Sequence, residues 1–202
     1  SSPLIIAPTG IADLVAYRGE IALARAAAAA GIPFSPATSS TTSMEDIGQH
    51  ATAGFWMQMY LWERRDLSWQ VIERAMAAGA EALIVTVDTP VLPNREFNTR
   101  NGMANPIRPN VRLAVDFALH PHWMLGVLVR YWLTGGMPRF VNYPLEIEGS
   151  VSGPIKRQTN ASSVGWADIA EVRKRWPGKL LVKGLLNPQD AAMAVGQGAD
   201  GV

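Results

Sequence analysis

The chain has 202 residues, of which 48% are hydrophobic, and a formal net charge of +1. That suits one domain with a substantial core, and it lacks the basic footprint of a general nucleic-acid binder. The absence of cysteine excludes disulfides and thiolate metal sites and fits a reducing compartment, while no apolar run reaches the ~18–20 residues of a membrane span.

Taken in chain order, apolar runs alternate with helix-forming segments. Leu4–Ala7 is a short strand ended by Pro-Thr-Gly, and the alanine-rich Tyr17–Ala30 predicts a helix capped by Gly31. Ile32–Ser35 is apolar again. Ser43 with Glu45 and Asp46 opens a short helix, its acids in the first turn. Phe55–Leu61 reads as a strand, Leu67–Ala78 as a helix, and Ala82–Val87 as the strongest strand, rich in valine and isoleucine. Trp166–Arg175 is a helix closed by Pro177-Gly178, Leu180–Lys183 a strand, and Pro188–Val195 a helix. The chain opens already in a strand and closes on "GADGV", the start of another. It therefore reads as an internal piece of a longer protein, with any targeting segment outside it.

Strand–helix alternation predicts parallel strands with helical crossovers, as a barrel or a doubly wound sheet. The strand ends separate the two. They carry Pro8-Thr9-Gly10, Ala37-Thr38-Ser39, Gln58 and Tyr60, Thr86 and Asp88, then Lys183-Gly184. In a parallel barrel such ends converge on one rim, where barrel active sites lie. Gln58 and Tyr60 sit two apart on one strand and so share a face, as Thr86 and Asp88 do, which predicts a common wall. Asp88 suits orienting a histidine or binding a hydroxyl. Lys183 either snorkels to solvent or offers a fixed charge to an anion. Arg95 either pairs with Glu96 on the surface or clamps a carboxylate bidentately.

A long excursion, residues 89–162, separates Asp88 from the helix at Trp166. It holds eight basic and four acidic residues, a surplus of +4, while the remainder of the chain carries −3. Within 111–141 the stretch "FALHPHWMLGVLVRYWLTGG" is apolar nearly all round. It reads either as a helix packed under a lid or a neighbouring subunit, or as an interfacial segment lying on a membrane.

Three motifs carry less. "GQGADG" matches a dinucleotide fingerprint, but it follows a helix and precedes a strand, the reverse of the required order. His120-x-His122 is a weak metal pattern, and the sequon at Asn160 is of a kind common by chance.

The stretches "PLIIAPTG", "RGEIALARAAAAAGIPF", "FWMQMY", "VTVDTPVLPNRE", "LLVKGLLNPQDA" and "GADGV" together resemble the FMN-dependent 2-hydroxy acid dehydrogenase/oxidase family, whose members include glycolate oxidase, L-lactate dehydrogenase and mandelate dehydrogenase. They cover most of the chain outside the excursion. The resemblance implies a (β/α)8 TIM barrel, incomplete here at about five and a half β/α units, with the excursion after strand 4. Residues 1–202 then form a partial FMN hydroxy acid dehydrogenase domain, and 89–162 lies over or beside the active site.

By resemblance, FMN is the cofactor. The backbone of Pro8, Thr9 and Gly10 lies along it, Gln58 and Thr86 hydrogen-bond its ring, and Lys183 charge-matches the N1–O2 edge. Tyr60 and Arg95 bind substrate, and Asp88 orients a base histidine expected beyond Val202. Ala37 replaces a serine usual near the flavin, with Thr38 a candidate substitute. Gly10 matches dehydrogenase-type members, where oxidase types often carry alanine. The implied reaction is oxidation of an (S)-2-hydroxy acid, lactate- or mandelate-like, to the 2-oxo acid by hydride transfer to flavin N5. Quinone or oxygen is the electron acceptor. The expected setting is cytoplasmic, peripheral on the inner membrane face if 111–141 touches lipid, as a homo-oligomer (a tetramer by resemblance) with no nucleic-acid partner. The 202 residues alone are expected to be inactive. The alternatives are another FMN- or phosphate-binding (β/α)8 oxidoreductase, or a truncated non-catalytic relic.

Overall fold

A computed structural model describes residues 3–89, 96–102, 110–144, 146, 149 and 164–202. The first unit is β1 (Ile6–Thr9), a single 3-10 turn at Ala12–Leu14 and α1 (Gly19–Ala30). β2 (Phe34–Pro36) and α2 (Met44–His50) follow, then β3 (Trp56–Tyr60) and α3 (Arg65–Ala77), then β4 (Ala82–Thr86). The excursion contributes α4 (Glu96–Arg100), α5 (Val111–Leu119), α6 (Pro121–Trp123), a π-helical stretch at Met124–Val129 and α7 (Arg130–Thr134). The chain resumes with α8 (Trp166–Arg175), β5 (Lys179–Lys183) and α9 (Pro188–Gly196).

All pairings among these strands are parallel. β3, β4 and β5 pair over their full length, with Tyr60 opposite Thr86 and Thr86 opposite Lys183. β1 pairs β2 through an irregular register, and single bridges at Phe34–Phe55 and Ala37–Gln58 carry the order on to β3. A further bridge, Leu181–Gly201, begins a sixth strand. The strands therefore stand in sequence order. A doubly wound sheet reverses direction at a switch point, and this order has none, so the arrangement is the barrel type. It does not close among the described residues.

Alternation along each strand divides two environments. Met57 and Met59, Leu83 and Val85, and Leu180 and Val182 point out under the helices, where they join Leu67, Val71, Ile72, Ile169 and Val172 in the core. The opposite faces carry Gln58 and Tyr60, Ile84 and Thr86, and Leu181 and Lys183, so polar side chains gather toward the carboxyl ends. "GQGADG" ends α9 and turns into the Gly201 bridge, as its order implied.

Several edges differ from the sequence pattern. α1 starts at Gly19 rather than Tyr17, because Arg18 takes a left-handed conformation (φ 54°). β1 begins at Ile6 and β2 at Phe34, each two residues later than the apolar run. Leu4 and Ile5 are exposed, so apolar character there does not mark pairing.

Candidate active site

The centre of the site is a buried polar contact between adjacent strands. Gln58 Nε2 donates to Thr86 Oγ1 at 2.8 Å. Gln58 is 2% exposed and Thr86 3%. The bond forms because β3 and β4 run in register and both side chains occupy the inner face. A neutral buried pair of this kind is sustained only where its groups are satisfied. The Thr86 hydroxyl accepts from Gln58 and keeps its own O–H. Gln58 keeps its second N–H, and its Oε1 accepts a longer 3.4 Å bond from the Thr38 amide. Two donors and one partly used acceptor thus face the interior.

β2 joins the same wall. Ala37 bridges Gln58 and is buried. The Thr38 hydroxyl donates to the Gln58 carbonyl at 2.8 Å, so its hydrogen is committed to the strand contact. β1 supplies Pro8 and Thr9 with Gly10 just past it. A Cβ at Gly10 would stand 2.3 Å from Ser39 Oγ, so glycine lets the two strand ends close on each other.

Tyr60, Thr86 and Lys183 form one register row across β3, β4 and β5 at the rim. Lys183 Nζ donates to Asp88 Oδ2 at 3.3 Å, with both side chains about half exposed. A pair so exposed is worth about 0–1 kcal/mol of stability, so its value lies in placing charge rather than in holding the fold. Gly184 lies beneath: its φ is 105°, and a Cβ there would come within 2.5 Å of Asp88 Cβ.

Sequence reasoning missed an aromatic cluster that the excursion builds with Trp62, close enough to Tyr60 for Tyr143 to sense it. Phe140 and Tyr143 stack at 5.4 Å, and Tyr143 meets Trp62 edge-on at 5.9 Å. Burial, with Tyr60 nearby, pushes the Tyr143 hydroxyl up to about 12. Asn142, fully buried, receives the Met44 amide at 2.8 Å and donates to the Thr42 carbonyl at 2.9 Å, which pins this segment to the start of α2. The aromatic composition of "RFVNY" was the available signal.

Other candidates stand apart. Arg95 lies outside the described residues, and so do Asn160 and the Arg95–Glu96 pairing. His50 contacts Arg25 Nη2 at 3.2 Å on the outer helices. His120 Nδ1 meets the Asp116 carbonyl at 2.8 Å in the excursion, and His122 is exposed. None of the three histidines bonds Asp88.

The profile of the FMN-dependent dehydrogenase family matches residues 1–202. An L-lactate dehydrogenase of Bartonella quintana is 36% identical over 202 residues, covering 99% of this chain and 52% of that protein. The (S)-mandelate dehydrogenase of Pseudomonas putida is 36% identical over 208 residues, covering 100% and 50%. Among solved structures, that of a monotopic membrane protein (S)-mandelate dehydrogenase superposes with a TM-score of 0.89 at 36% identity, covering 100% of this chain and 53% of that one. The chain thus spans about half the length of the curated relatives it matches.

Proposed function

The chain belongs to the FMN-dependent dehydrogenase family, and from that premise we propose that its protein oxidises a small (S)-2-hydroxy acid to the 2-oxo acid with FMN bound at the strand ends. The observation that carries this reading is the Gln58–Thr86 bond, which runs diagonally up to the Tyr60–Thr86–Lys183 row.

The residues fit the cofactor chemically. A flavin's pyrimidine edge presents carbonyl acceptors and one N–H. The spare donors of Thr86 and Gln58, with the Gln58 carbonyl oxygen, match that pattern. Glycine at position 10 leaves no side chain at the end of the Pro8–Gly10 edge, where a Cβ would meet Ser39. Bound FMN supplies the two-electron acceptor; the protein supplies binding, orientation and electrostatics.

Each residue then has a task. Lys183 places a positive charge at the rim where negative charge accumulates on reduction. Tyr60 donates a hydrogen bond to the substrate's oxygen atoms. Arg95 clamps the substrate carboxylate and fixes its orientation. Asp88 holds a base histidine in its working tautomer, as family members do, and until then its carboxylate rests on Lys183. Tyr143, packed against Trp62 and Phe140, supplies an apolar flank near Tyr60. The relatives named for lactate and mandelate bracket the substrate side chain.

A second reading concerns the excursion. Val111, Leu119, Trp132 and Leu133 are exposed at 81%, 72%, 75% and 70%, along helices that also carry Arg112 and Arg130. No helix among the described residues is long and apolar enough to cross a membrane. We propose that this face lies on a lipid surface, so that a membrane quinone reoxidises the flavin; a relative's description as monotopic supports it.

The test is anaerobic. The purified protein is loaded with FMN, mixed with (S)-lactate, (S)-mandelate or glycolate, and followed by flavin absorbance. Bleaching by one of the (S)-2-hydroxy acids and not by its (R) isomer is the expected result. FMN that binds but is reduced by none of them would sink the substrate class.

A further inference from the structure

Two acids buried beside the site have no part in the chemistry above. Asp13 is 4% exposed and Glu20 fully buried, and among the described residues neither has a cationic partner. Instead they bond main chain and hydroxyls. Asp13 Oδ1 accepts the Glu20 amide at 3.0 Å, and Oδ2 accepts the hydroxyls of Thr41 at 2.8 Å and Thr42 at 2.9 Å. The Glu20 carboxyl accepts the amides of Thr41 at 3.1 Å and Thr42 at 2.7 Å. The pair thus ties the loop after β1 to the loop after β2. These are the segments that continue from Pro8–Gly10 and from Ala37–Thr38.

The tied loop is strained and carries a load. Ile11 and Arg18, at its two ends, both sit at positive φ (63° and 54°), which costs non-glycine residues of order 1–3 kcal/mol each unless the surroundings enforce it. The excursion hangs on it: the Arg18 amide donates to Tyr131 Oη at 2.9 Å, and Trp123 Nε1 to the Leu14 carbonyl at 2.7 Å. The far end of the excursion holds the other loop through Asn142 and the Thr42 carbonyl.

We propose that Asp13 and Glu20 are positioning residues, a buried carboxyl latch that sets the spacing of the two flavin-facing strand ends and responds to pH. The inference rests on the flavin reading only for its functional consequence. The groups that face the pair are few. Tyr131 comes from the excursion contact, Tyr17 packs on Tyr131 and carries Arg130 over its ring at 4.0 Å, and the Arg18 side chain is exposed. Burial first, then the neighbouring Asp13, raises the Glu20 carboxyl from an ordinary 4.5 to about 7, against the hydrogen bonds that favour its ionised form. The sign follows. A latched Glu20 keeps a proton that the open loop gives up. The latch is therefore tightest below pH 4.5, weakens as pH rises through the interval to about 7, and changes no further above it.

The test uses amide hydrogen exchange of the FMN-free protein and FMN titration by fluorescence, both from pH 4.5 to 8. After correction for intrinsic exchange, protection of residues 11–18 should fall by up to about tenfold per pH unit in that interval. The FMN dissociation constant should rise over the same range. Glu20→Gln should flatten both profiles, and Asp13→Asn should move the upper midpoint to lower pH. A pH-independent wild type, or a Glu20→Gln profile parallel to wild type, overturns the proposal. If Glu20→Gln does not fold, an unmoved midpoint in Asp13→Asn overturns it. Failure of FMN to bind at any pH overturns the cofactor reading and the positioning role, while the exchange profile still decides the latch.

Discussion

Replacing Thr86 by valine keeps the shape of a strand side chain and removes one hydroxyl. In the wild type that hydroxyl accepts from Gln58 Nε2 at 2.8 Å, and both residues are nearly inaccessible to water. The variant therefore leaves an amide N–H buried without a partner, which costs about 1–3 kcal/mol. For a protein of this size that lowers Tm by about 2–12 °C. It also removes the spare donor assigned to the flavin, an additional ~0.5–1.5 kcal/mol, or roughly 2–13-fold in FMN affinity. Adding Gln58→Met discriminates the two effects. With both polar partners gone, stability should recover most of the loss, because the matched apolar pair leaves only the Thr38 amide without its long 3.4 Å contact. FMN affinity should fall further, because both flavin contacts are now lost. Thermal unfolding and fluorescence titration of the four proteins complete the cycle. Additive stability losses would show that Gln58 and Thr86 do not act as a pair. Undiminished FMN affinity in the double variant would show that neither faces the cofactor.

Three further predictions follow from the same geometry. Gly184→Ala forces a residue with a Cβ to φ 105° and against Asp88, so it should cost about 1–3 kcal/mol in chemical denaturation and displace Asp88 from Lys183; an unchanged midpoint refutes the close approach. Tyr143 should ionise late: its folded form resists losing the proton until about pH 12, so the stability it contributes is full below pH 10 and is lost as pH rises toward 12. Ultraviolet absorbance of phenolate reads this directly, and Tyr143→Phe should remove the transition near pH 12. Trp132→Glu with Leu133→Glu should release the protein from liposomes in flotation while leaving substrate-dependent flavin reduction intact; wild type that never floats with lipid ends the membrane reading.

The sequence showed the chemistry of the rim more clearly than its enclosure. Ala82–Val87 was legible as a strand because both its faces are covered, so all of its observed residues are buried and the apolar run matches the strand almost to its ends. Gln58, Thr86 and Lys183 were legible as inner-face positions toward the strand ends because a polar residue there interrupts an apolar strand. β1 and β2 were displaced by two residues because Leu4 and Ile5 are apolar yet exposed. Asp13 and Glu20 were invisible, since an acid in a loop or a first helical turn ordinarily faces water. Asn142 and Tyr143 lie in a stretch without periodicity, and their partners Thr42, Met44 and Trp62 are remote in sequence.

β4 and β5 pair along all five of their residues although the whole excursion intervenes between them. The entropy of closing a flexible loop grows only with the logarithm of its length, about 0.6 kcal/mol per doubling. The ladder between Ala82–Thr86 and Lys179–Lys183 is therefore nearly indifferent to how much chain is threaded through the gap. Length and composition within the excursion are free to drift, within the limits set by Arg95 and by the anchors at Tyr131, Trp123 and Asn142, while α8 stays fixed by its core residues Ile169 and Val172. An insertion at this junction can give a protein a new address in the cell while its redox chemistry is inherited unchanged, so divergence of location should outpace divergence of reaction in proteins built this way.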